Sequence, residues 1–111
     1  MYLIGCYVPE SHLEKVKTAL FEKGGGQLGN YDCCAWQTRG TGQFRPLAHS
    51  TPFSGETGKI HREDEYKLEL ICKNDIVGDI IETLIRVHPY ETPAYHVIKM
   101  ETVDIPTSTE S

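Results

Sequence analysis

His88, Tyr90 and Glu91, side chains able to exchange protons or hold a ligand, lie close together at the start of the run His88-Pro89-Tyr90-Glu91-Thr92-Pro93-Ala94-Tyr95-His96. Pro89 and Pro93 each push the residue before them out of helical geometry, so this run is expected to leave a helix, turn and enter a strand. Such a turn gathers an imidazole, a phenol and a carboxylate. His88 and Glu91, joined by His61, Glu63 or Glu65, are donor types that hold a divalent metal, and the expected metal set is His88, Glu91 and His61. His88 with Glu91 could instead serve as acid and base, which would make the chain a small hydrolase-related protein. No activated nucleophile accompanies them, because Ser50 and Ser54 lie in no nucleophile motif. The structural reading stands beside these: a helix carboxyl end favours a cationic His88, while Tyr90 and Glu91 tie the turn to neighbouring backbone.

Two stretches are rich in glycine. Gly24-Gly25-Gly26-Gln27-Leu28-Gly29 matches the G-x-G-x-x-G pattern of dinucleotide sites, but it follows a helix and precedes a strand. A pyrophosphate needs the N–H groups of a helix amino terminus, so this motif reads as a glycine cap and turn. The second stretch, Gly40 to Gly58, exceeds the roughly 12 to 15 residues beyond which loops tend to be functional or disordered. Its glycines could present backbone amides to an anion, with Arg45 adding charge.

Positioning these groups falls to a short series of elements. Residues 2–8 form an apolar strand ended by Pro9. Ser11 is expected to cap a helix over 11–23 carrying Leu13, Val16, Ala19 and Leu20. Tyr31–Gln37 reads as a second strand, and Gln43–Arg45 as a short extra strand within the long loop. In a third strand Tyr66, Leu68, Leu70 and Cys72 alternate with Glu65, Lys67 and Glu69. Asn74 or Asp75 would cap a second helix bearing Ile76, Val77, Ile80, Ile81, Leu84 and Ile85. Residues 94–100 give the last strand, and 101–111 have the composition of a disordered tail.

The order is that of an α+β, ferredoxin-like βαββαβ domain over residues 1–100, an antiparallel sheet with both helices on one face. The first strand is apolar on both sides, so its second face is expected to be covered, and a closed symmetric ring of subunits is one solution.

The net charge of −5 across 111 residues, with basic residues scattered singly, argues against nucleic acid and anionic membrane as partners. No apolar run approaches the roughly 20 residues of a membrane span, and Met1–Gly5 lacks the basic start of a secretion signal, so a cytoplasmic location is expected. The four cysteines are then reduced thiols, with Cys6 and Cys72 small core residues. Cys33 and Cys34, adjacent on a strand, would face opposite ways and could not chelate together.

Gly24–Gly29, Tyr31–Cys34, Gly40–Phe44, Gly55, Gly58, Glu65–Glu69 and His88–Tyr95 together resemble the small domain inserted in the middle of bacterial Nif-three-like proteins, over about residues 3 to 100. That module is similar in fold to the CutA and PII proteins, which form trimers. The resemblance implies a homotrimer and draws attention to residues 38–60, since the corresponding PII loop responds to ligand and partner. It places the two-metal centre of the full-length proteins on large flanking domains outside this module, so it implies no such centre on His88 or His96. The expected function is a non-catalytic sensor or interaction module, binding a small molecule or a protein in a cleft between subunits. Gly40, Gly42, Phe44, Arg45, Gly55 and Gly58 would line that cleft from the loop, Glu65 from the third strand, and His88, Tyr90 and Glu91 from the turn. No cofactor is expected with certainty; a divalent metal is the alternative.

Overall fold

The computed structural model describes residues 1–105. Strand β1 spans Tyr2–Pro9, helix α1 Glu10–Glu22, strand β2 Trp36–Phe44 and strand β3 His61–Cys72. A 3-10 turn at Asn74–Ile76 leads into helix α2, Val77–Val87, and strand β4 covers Tyr95–Lys99. The four strands form one sheet in the order β2-β3-β1-β4, with every neighbouring pair antiparallel. This is the expected α+β ferredoxin-like arrangement.

Side chains alternate across a strand, so every second residue of β1 and β3 faces the helices. Ile4, Cys6 and Val8 meet Leu68, Leu70 and Cys72 there, and Leu13, Val16 and Leu20 of α1 with Ile80 and Leu84 of α2 close the core over them. Burial pushes the Cys6 thiol up to about 12, which keeps it a neutral core group.

The opposite face carries the second apolar side of the first strand. Leu3, Gly5 and Tyr7 do point there, but their partners on β3 are Ile71, Glu69 and Lys67. The charge alternation of β3 thus lies beside the apolar residues of β1 and makes this face mixed. On its other side Gly5 pairs with His96, whose ring lies over the glycine so closely that an added Cβ would come within 2.2 Å of Nε2.

Several boundaries also shift. Helix α1 begins directly after Pro9, and Ser11 lies inside it with Oγ paired to His12 Nδ1 at 2.8 Å instead of capping. Strand β2 starts at Trp36, because Tyr31 only bridges Leu28 and Cys33 takes a positive φ of 55°. Cys33 and Cys34 therefore sit in a turn, with Cys33 exposed. The strand continues through Gly40 and Gly42 to Phe44, because β3 is long enough to pair with it from Glu69 back to His61. Backbone pairing outweighs the glycine signal that marked this stretch as loop, leaving only residues 45–60 as the connection. Asn74 does not cap α2; its Oδ1 accepts from the amino group of Met1. Residues 101–105 are exposed and without regular structure, while 106–111, the rest of the expected tail, lie outside the described residues. No helix among the described residues is long and apolar enough to cross a membrane.

Candidate functional site

Helix α2 ends where Pro89 requires it: His88 is extended (φ −70°, ψ 138°) and its N–H closes the helix on the Leu84 carbonyl at 2.9 Å. The His88 side chain turns inward and is 6% exposed. Nε2 lies 2.7 Å from the Tyr7 carbonyl of β1 and must donate to it, while Nδ1 accepts the Tyr90 N–H at 3.2 Å. Both nitrogens are satisfied by a single neutral tautomer. Burial lowers the imidazole below its ordinary value, opposed in part by the Tyr7 carbonyl. The expected helix-end cation is therefore a neutral corner post, because its donors and acceptors are matched to the uncharged ring.

Tyr90 projects from this corner toward β3. Its hydroxyl lies 2.8 Å from Glu65 Oε2 and 3.1 Å from Glu63 Oε2, and Ser54 Oγ donates to the latter at 2.9 Å. One phenolic proton serves one carboxylate at a time. Burial, then the hydrogen bond and charge of Glu65, then Glu63, push the phenol well above its ordinary range. The Glu65 carboxylate rests on Gly42, where an added Cβ would lie 2.1 Å from Oε1.

The 45–60 segment folds back over this corner. The Thr51 N–H donates to Glu91 Oε1 at 2.6 Å, and the Phe53 ring stands 6.0 Å from Tyr90 and edge-on to His12 at 5.4 Å. Phe44 completes the aromatic group, 6.4 Å from Tyr90 and 5.1 Å from His61. Between the segment, the corner and the sheet lies a cavity of about 440 Å³.

Of the residues expected to bind a ligand, Gly42, Phe44, Glu65, Tyr90 and Glu91 line this cavity. Gly40 lies farther along β2, beside a neighbouring depression with Arg39 and Lys67. Gly55 packs against His61, and Arg45 and Gly58 are exposed, so these three do not line the cavity. His88 stands behind Tyr90 and does not line the space. Nor do His88, Glu91 and His61 form a metal set: His88 and Glu91 are held by Tyr7, Tyr90 and Thr51. Among the described residues no group of three or more His, Cys, Asp or Glu is placed to hold a metal ion. Tyr7, Pro52 and Phe53 line the cavity and were not singled out from the sequence. The outward position of Tyr7 on β1 could have indicated it; the placement of Phe53 depends on the path of the 45–60 segment.

No protein-family profile matches the chain. Over 95 residues it is 36% identical to a GTP cyclohydrolase 1 type 2 homolog of Halalkalibacterium halodurans, covering 86% of this chain and 26% of that relative. A Bacillus cereus protein related to NIF3 superposes with a TM-score of 0.77 at 32% identity, over 91% of this chain and 26% of that one. CutA1 from Pyrococcus horikoshii superposes with a TM-score of 0.67 at 24% identity, over 94% of this chain and 87% of its own length. The resemblance carried by the glycine turn, the β2–β3 residues and the His88 run thus extends over nearly the whole chain, which spans about a quarter of the length of the curated relatives it matches.

Proposed function

We propose that this chain, related in sequence to one segment of the GTP cyclohydrolase 1 type 2 homologs and sharing the CutA fold, is a non-catalytic module that binds a small ligand in the cavity beneath the 45–60 segment. It acts as a cytoplasmic homotrimer, with the cavity opening on the sheet face that subunits share. One observation carries the ligand site: the Thr51–Glu91 hydrogen bond and the Tyr90–Glu65 contact hold loop, corner and sheet around one space. Its volume lies in the ordinary range for small-molecule sites.

A non-catalytic role is preferred because His88, the strongest candidate base, has both nitrogens engaged in the fold. Self-association is supported by Leu3, Tyr7, His96 and Ile98 sharing the face away from the helices. The free thiols of Cys33 and Cys34 suit a reducing compartment.

Light scattering should return a mass near three times the 12.5 kDa chain, and a monomeric mass at micromolar concentration would remove the trimer. A small-molecule screen by thermal shift, repeated after shortening residues 45–60, tests the cavity separately. Ligands that stabilise both forms equally would place the site elsewhere.

A further inference from the structure

We infer that the cavity takes a small organic cation, an ammonium or amidinium group carried on a flat apolar body. The inference deepens the proposed ligand site and rests on it. The side chains lining the cavity include two carboxylates, Glu65 and Glu91, and no Lys, Arg or His. Neither carboxylate is paired with a basic side chain among the described residues; the ion pairs of this chain use other acids.

Glu65 is the more telling of the two. It is half-buried, and its Oε2 accepts from Tyr90 while Oε1 has no donor among the described residues. That oxygen is open to the cavity and can accept a charge-assisted hydrogen bond from an incoming ammonium. Gly42 makes room for this group beside the strand, since any side chain there would strike Oε1. Around it stand Phe44, Phe53 and Tyr90, whose ring faces attract a positive charge and accommodate a flat apolar body. Glu91 adds a second negative charge at the exposed rim, and the chain's net charge of −5 acts in the same direction. An anionic ligand in the cavity would meet both carboxylates, while the basic side chains nearest along the sheet, Arg39 and Lys67, line the neighbouring depression and are paired with Asp64 and Glu69.

Calorimetry on the intact chain at low salt, with benzylammonium, benzyl alcohol and benzoate as probes, tests this. Benzylammonium should bind at least about tenfold more tightly than benzyl alcohol, and benzoate more weakly than either. Glu65→Gln, which keeps an acceptor for Tyr90, should abolish the preference for the cation. If that variant does not fold, Glu91→Gln should reduce the preference, and added salt should reduce it in the unmodified protein. Equal binding of alcohol and ammonium, tighter binding of benzoate, or a preference that survives both carboxamide variants would overturn the cation assignment while leaving the ligand site standing. Failure of all three probes to bind would overturn the cation assignment too, and failure of the thermal-shift screen as well would remove the ligand site itself.

Discussion

The imidazole of His88, immediately after α2, donates to the main-chain carbonyl of Tyr7 on β1 across 2.7 Å. This single bond fixes the corner that carries Tyr90 and Glu91 to a central strand of the sheet. The ring is neutral for other reasons: burial disfavours its charged form, and protonating Nδ1 would set a donor against the Tyr90 N–H, which already points at it.

Because burial lowers the His88 pKa from its ordinary 6.5, the unfolded chain binds more protons than the folded one as the solution is acidified. His88 therefore contributes stability that is present above pH 6.5 and is lost as pH falls toward the depressed folded value. Urea unfolding from pH 7.5 down to 5 should show this loss, and His88→Gln should flatten it. At neutral pH the variant should be less stable by about 1–3 kcal/mol, the cost of disturbing a buried hydrogen-bonded group.

Tyr90 gives the opposite sign. Its phenol is raised above the ordinary 10.0, so the folded state keeps a proton that the unfolded state releases in alkali. Its stabilising effect is complete below pH 10 and declines as pH rises beyond it. Ultraviolet titration should reveal one tyrosine that ionises only with unfolding, and Tyr90→Phe should remove it.

Gly42 and Gly40 allow a paired comparison on one strand. An alanine Cβ at position 42 would lie 2.1 Å from Glu65 Oε1, whereas nothing lies within 4 Å of one at position 40. Gly42→Ala should displace the carboxylate from Tyr90 and cost about 1 kcal/mol relative to Gly40→Ala, measured by chemical denaturation.

On α2, Ile80 is fully buried while Ile85 is 49% exposed. Ile80→Ala should destabilise the fold by about 2–5 kcal/mol, and Ile85→Ala by far less. Equal losses in thermal or urea unfolding would mean that Ile85 is covered in solution, as a subunit contact would do.

Much of the architecture was legible without a structure. Leu13, Val16 and Leu20 on α1, Ile80 and Leu84 on α2, and Leu68, Leu70 and Cys72 on β3 repeat at the periods of helix and strand, and all are buried. Local signals were less dependable where a distant partner decided the outcome. The glycines at 40 and 42 suggested a loop, yet pairing with β3 made them strand. Tyr31–Cys34 had strand-like composition, yet the chain turns there. The same limit applies to the site, where five of the expected ligand residues line one cavity and Gly40, Arg45, Gly55, Gly58 and His88 do not.

The sequence by itself determined the order of elements, the apolar faces that form the core and the proline-bounded corner at His88, because periodicity and proline geometry act over a few neighbouring residues. Only the tertiary structure decided what the corner does. It joined His88 to Tyr7, 81 positions away, brought Tyr90 to Glu63 and Glu65, and drew Thr51 to Glu91. Those contacts depend on sheet order and on the path of the 45–60 segment, which no local spacing encodes. They turn a possible metal or acid–base cluster into a neutral post supporting an acidic, aromatic cavity.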